Sequence, residues 1–149
     1  MKHWISTSLL CLLVANMTHA EPEKGSDKGL NTTKIRQQTY SSIEKESEKL
    51  EDLVDDQKWQ EAAPLAEELA LKVAKLQTLF PASSKGEGRA RDSVWEEWSE
   101  FSARLQNLEA DFLGVSVAIA AGDHQKAEDS LDDATSACNS CHMSYRSLW

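Results

Sequence analysis

Beyond residue 30 the apolar positions of this chain recur at steps of three and four, and no segment alternates at the two-residue period of a strand. The cleanest stripe is Trp98, Phe101, Leu105, Leu108, Phe112, Val115 and Ile119, the seam of a helix bundle. Ser93-Val94-Trp95-Glu96 reads as a capping box opening that helix. Ala121-Gly122-Asp123 then supplies a glycine stop and an Asp to cap the next one. The last helix keeps the period through Ala127, Leu131, Ala134, Cys138, Cys141 and Tyr145. Upstream, Leu65, Leu69, Val73, Leu76 and Phe80 mark a helix from about Glu61 to Phe80. Pro64 fits only its first turn, so the regular part is expected from near Ala63, and Pro81 ends it. Ala82 to Arg91 is a loop rich in Ser, Gly and charge.

The first helix is expected from about Thr33 to Asp55, capped by Asn31 or Thr32. Its inward stripe is Arg36, Tyr40, Ile43, Ser47, Leu50 and Val54, polar where a plain bundle would carry Leu or Ile. Two readings fit: a helix partly exposed there, or one facing a cofactor with polar edges. Four tightly joined amphipathic helices predict an all-α fold, an antiparallel four-helix bundle over residues 33–149.

The ends read differently. Residues 1–20 carry Lys2, the apolar run Leu9 to Ala15 and Thr18-His19-Ala20, the pattern of a secretory signal cut after Ala20. The run is too short to span a membrane, so no membrane anchor is expected. Residues 21–32 are expected as a flexible leader. The full chain has a formal net charge of −9, and loss of Lys2 with the signal makes the remainder more negative. That argues against nucleic acid as a partner and suits a periplasmic protein.

The candidate chemistry lies near the end: Cys138-Asn139-Ser140-Cys141-His142. C-x-x-C-H is the covalent attachment signal for one haem c. On a helix the two cysteines share a face, ready to form thioethers with the haem vinyl groups. His142 then follows as proximal ligand to the iron. Export agrees, because c-type haem is joined to its protein outside the bacterial cytoplasm. A zinc site wants four N or S ligands, and beyond the signal only His124 remains to help. A thioredoxin-like dithiol wants a βαβ context, and no strand pattern is near. A plain disulfide leaves His142 unexplained.

With these residues in place, the chain resembles the cytochrome c′ (class II cytochrome c) family from about residue 34 to its end. The resemblance rests on Arg36-Gln37, Phe80-Pro81, Val94-Trp95 with Phe101, Ala121-Gly122-Asp123, and the terminal motif with Tyr145-Arg146. It implies a four-helix bundle around covalent haem c, often paired as an antiparallel homodimer through the first two helices. It also implies an iron with an open distal side that binds NO and CO. By position, Arg36 and Gln37 match residues near a haem propionate, Arg146 the basic residue beside the proximal His, and Tyr40 the group over the distal face. Arg89 is a further candidate propionate contact. Where family members often have Gly, Ala or Met in the first helix, this chain has Ser41, Ser42, Glu44 and Glu46.

Composition bears on the sixth ligand. Beyond the signal the only Met is Met143, adjacent to His142, and His124 lies eighteen residues before it. That is about 27 Å along a helix at 1.5 Å per residue. Neither reaches the opposite face, so a five-coordinate or weakly water-ligated iron is expected. The expected function is a periplasmic c-type haem protein that binds NO and CO and passes single electrons with a redox partner protein. The alternative is a six-coordinate, low-spin electron carrier, and a haem-free dithiol or zinc bundle is a third. An enzyme is not expected: a peroxidase lacks a distal His to move protons.

Overall fold

The computed structural model describes residues 25–147; the signal read over residues 1–20 and its cut after Ala20 lie outside the described residues. Four long helices, α1 (Gly25–Asp55), α2 (Trp59–Leu76), α4 (Trp98–Ala120) and α5 (His124–Tyr145), carry the fold. A 3-10 turn (Ala82–Ser84) and the short helix α3 (Ser93–Glu96) lie between α2 and α4. Cross-helix contacts make each neighbouring pair antiparallel. Arg36 reaches Leu79 while Glu46 meets Lys72. Gln77 meets Ser102 and Glu67 meets Ser116. Gly114 packs on Ser130, and Tyr145 meets Glu97.

The core follows the periodic stripes. Phe101, Leu105, Phe112, Val115, Ala127, Leu131, Ala134 and Tyr145 are buried, as are Ile43, Leu50 and Val54 of α1. Trp98 departs from its stripe and is 38% exposed. Its helix starts later than expected, because the backbone breaks at Glu97 (φ −112°, ψ 35°) and separates α3 from α4. The expected capping box is not formed. Ser93 Oγ donates instead to the Ser144 carbonyl at 3.4 Å, tying α3 to the end of α5.

Two helices begin earlier than their patterns suggested. The first starts at Gly25, not Thr33, so residues 25–32 of the expected leader are helical and Asn31 and Thr32 lie inside the helix. Gly29 explains the docking: a Cβ there would collide with the Ser83 carbonyl, and its absence lets the two backbones touch. The second starts at Trp59, leaving Pro64 inside the helix rather than in its first turn. Trp59 stacks on His124 with ring centroids 4.1 Å apart, which fixes that early turn against the start of α5. Its regular part stops at Leu76, and the Leu79 carbonyl beyond is taken by Arg36 at 3.0 Å.

The packing is uneven in a way that matters. α1 lies on α2, α2 on α4 and α4 on α5, but α1 and α5 barely meet. The ring of helices is closed on three sides and open on the fourth. Among the described residues no helix is long and apolar enough to cross a membrane. Phe112 is fully buried on α4, so Phe112→Ala should destabilise the protein by about 3–5 kcal/mol, read as a lower urea midpoint with an unchanged slope.

Candidate haem site

The open side of the bundle holds a cavity of about 570 Å³, in the range of a cofactor site. All eight residues singled out from the sequence line it: Arg36, Gln37 and Tyr40 from α1, Arg89 from the loop, and Cys138, Cys141, His142 and Arg146 from the end of α5. Cys138 and Cys141 are free thiols, half-buried on the inner stripe. Desolvation pushes both thiols above the ordinary range; Glu51 and Glu44 add to this at Cys138, whereas Arg104 opposes it at Cys141. Desolvation holds the His142 imidazole below its usual value, Arg146 acts in the same direction, and Glu44 opposes. At neutral pH the site therefore offers two protonated thiols and a neutral imidazole, the form that ligates a metal.

Tyr40 stands across the cavity from them. Desolvation raises its phenol well above the ordinary range, with Cys141 and Cys138 adding and Arg36 opposing. It is a neutral phenol throughout the physiological range.

Arg36 does more than the sequence suggested. It is 3% exposed, and its guanidinium donates to the Leu79 carbonyl (3.0 Å), Ser84 Oγ (3.2 Å), Thr33 Oγ1 (3.3 Å) and the Glu87 carbonyl (3.0 Å). It also lies 4.5 Å from the Phe80 ring centroid. These partners are all neutral, so among the described residues a buried cation lines the cavity with no carboxylate bound to it. Gly88, at φ +74°, brings the loop against this helix, where a Cβ would sit 2.9 Å from Thr33 Cγ2.

The loop and the end of α5 hold each other. Ala90 and Arg146 form an antiparallel bridge, Arg91 N–H donates to the Tyr145 carbonyl at 2.9 Å, and Ser147 N–H to the Arg89 carbonyl at 2.8 Å. Arg91 also donates to the Met143 carbonyl at 3.1 Å, close to the helix C-terminus. Sequence reasoning missed Arg91, and no local pattern signals it. It also missed Glu44, Glu48 and Glu51, which line the cavity; their spacing of four and three was the available signal.

Three features fit a haem. Arg36, held by neutral partners, sets a positive charge in the cavity wall, which suits an anion such as a propionate. The thiols and imidazole fall on one wall. Ser47 Oγ, on the cavity wall, is buried without a hydrogen-bond partner among the described residues. By contrast, no group of three or more His, Cys, Asp or Glu side chains among them is arranged to hold a metal ion.

The family model described as "Cytochrome C'" matches residues 31–146. The chain belongs to the cytochrome c′ family. The family's cofactor is covalent haem c with its iron. A curated cytochrome c′ of Alcaligenes xylosoxydans xylosoxydans is 28% identical over 80 residues, 51% of this chain and 63% of that one, so the match spans just under two thirds of that relative's length. A solved cytochrome c′ structure superposes with a TM-score of 0.71 at 25% identity, covering 79% of this chain and 96% of that one. A nitric oxide complex of a mutant cytochrome c prime from Alcaligenes xylosoxidans gives 0.72 at 23% identity, covering 80% and 96%, a likeness of fold. The four-helix bundle expected from the periodicity is thus the family's fold.

Because Arg36 satisfies several buried acceptors at once, Arg36→Leu should destabilise the protein by at least about 3 kcal/mol. Arg36→Lys keeps the charge but not the fork, and should recover less than half of that loss in thermal melting.

Proposed function

We propose that this protein is a periplasmic haem protein of the cytochrome c′ type whose five-coordinate or weakly water-ligated iron binds NO and CO and exchanges single electrons. One observation carries the reading. Cys138, Cys141 and His142 on α5 and Tyr40 on α1 line a single cavity, and no Met or His of the described chain is placed to fill the position opposite His142. Met143 is 79% exposed on the helix that bears His142. His124 is occupied in its stack with Trp59. The nitric oxide complex of the related fold supports a gaseous ligand.

In this reading Cys138 and Cys141 give their sulfurs to thioethers and His142 supplies the proximal nitrogen. Arg36 and Gln37, with Arg89 and Arg146, present positive charge and hydrogen-bond donors to the propionates. Bound haem iron supplies the site for diatomic ligands and the one-electron couple. Tyr40 screens that site: as a partly buried neutral phenol it excludes water and bulky molecules, and a ligand enters by turning the ring aside. Export in the manner of a signal-bearing chain is part of the reading, because it brings the protein to where c-type haem is attached. So is pairing of two copies through α1 and α2, to which Leu30 and Leu71 offer apolar surface at 49% and 72% exposure.

Absorption and EPR spectra of the ferric and ferrous holoprotein, with and without NO, test the reading. A high-spin ferric signal and a ferrous NO complex are expected; a low-spin ferric iron would replace this proposal with a six-coordinate electron carrier. Replacing Cys138 and Cys141 together by Ala should leave haem that acid–acetone extracts, whereas the wild type retains it. Turning a packed ring off its rotamer costs about 0.5–1.5 kcal/mol. Tyr40→Ala should therefore speed CO association by about two- to tenfold in flash photolysis; an unchanged rate would remove Tyr40 from the distal face.

A further inference from the structure

Beside the cavity the aromatic side chains form one connected set. Phe80, Phe101 and Tyr145 are buried and line the cavity wall. Tyr145 meets Phe101 edge-on with ring centroids 5.1 Å apart, and Phe101 meets Phe80 at 4.8 Å. Trp98 packs on both, 5.8 Å from Phe101 and 6.3 Å from Phe80. It is also 38% exposed. A single layer of rings therefore separates the cavity from an indole in contact with water.

These rings differ in how readily they give up an electron. Phenylalanine is a spacer, because its ring is much harder to oxidise than a phenol or an indole. Tyr145 is the inner donor: its hydroxyl donates to the Glu97 carboxylate at 3.3 Å, a base that takes the phenolic proton as an electron leaves. The Arg104 guanidinium lies 5.6 Å from the same ring centroid and disfavours a positively charged ring. Loss of the proton is thus what lets Tyr145 be oxidised. Trp95 is placed against oxidation. Its indole N–H is bound to the Phe80 and Pro81 carbonyls, which are too weak as bases to take a proton, and Arg36 lies 5.9 Å from its ring. At Trp98 solvent is at hand to take the indole proton.

We propose that Tyr145 and Trp98 form a relay that carries electrons from the surface to the cavity when hydrogen peroxide is reduced there. The proposal rests on the reading of the cavity as a haem site and adds to it a reaction with a small oxidant. Each hydrogen peroxide takes two electrons and two protons; its O–O bond breaks and two waters form. Tyr145 gives the first electron, its proton passing to Glu97, and is refilled from Trp98 through the Phe101 ring. Trp98 loses its indole proton to water, while Glu97 returns the phenolic one. Tyr145 then gives the second electron, again with its proton to Glu97. Two protons are released for the two consumed, and both residues are left as neutral radicals. The radical at Trp98 lies where external reductants reach it, so the oxidising equivalent leaves before it attacks the cavity wall.

Ferric holoprotein mixed with one equivalent of hydrogen peroxide and a nitroso spin trap, then digested and mapped by mass spectrometry, tests this. Trp98 should carry about fivefold more adduct than Trp95 or Trp59. Trp98→Phe should remove that adduct and, without the trap, speed bleaching of the haem absorption by peroxide about threefold. Tyr145→Phe and Glu97→Gln should each lower the Trp98 adduct about threefold, with the haem spectrum before peroxide unchanged. Glu97→Gln separates relay from structure, since an amide still accepts the hydrogen bond but is no base. Equal adduct on Trp98, Trp95 and Trp59 would mean oxidation from bulk solution, and a Trp98 adduct indifferent to both variants would mean that no relay operates; each overturns the proposal. A normal haem spectrum with Trp98 unlabelled overturns this proposal alone, whereas a protein without haem absorption overturns the haem reading with it.

Discussion

A guanidinium buried in the wall of a cavity organises this end of the molecule. Arg36 is held in place by carbonyls and hydroxyls from the segment 79–87 and by Thr33 of its own helix. Removing a charge from water is costly unless its donors are satisfied, and here the polypeptide wraps to satisfy them. The same bonds therefore fix where the loop runs, and with it where Trp95, Ala90 and Arg89 stand. Trp95 repeats the pattern by donating from its indole to the Phe80 carbonyl at 3.1 Å. The loop is thus anchored on α1 at one end and on the last turn of α5, through the Ala90–Arg146 bridge, at the other.

That arrangement keeps α1 and α5 apart. Three helix pairs pack against each other, and in place of the fourth contact lies the cavity. A planar apolar group tethered to α5 completes the core in the way a missing row of side chains would. Cofactor and bundle are then coupled in stability, since whatever binds the folded chain shifts folding by its binding free energy.

Charge sorts the two parts of the cavity. The basic part matches the propionate edge of a haem, and glutamates of α1 line the other part. The thiols and imidazole lie between, kept uncharged by desolvation. Neutrality is useful at His142, because a protonated imidazole would be the wrong form for ligation.

The helices, their inward faces and the attachment motif were legible from the sequence by itself. Each depends on periodicity or on spacing within a few residues, as in the stripe from Phe101 to Val115 or the run from Cys138 to His142. Arg36 and Tyr40 were legible as cavity-lining residues too, because with Ser47 they broke an otherwise apolar stripe, whereas Glu44, Glu48 and Glu51 on the same wall were not. Only the tertiary structure decided where helices begin and what Arg36 binds. Trp59 enters a helix because His124 lies far along the chain but close in space, and Gly29 is helical where the Ser83 backbone meets it. Likewise, Ser93 gave up its expected cap for a carbonyl of α5. The division has a physical cause: hydrophobic periodicity is a local property of the chain, whereas a buried hydrogen-bonding group takes whichever partner the packed fold brings within reach.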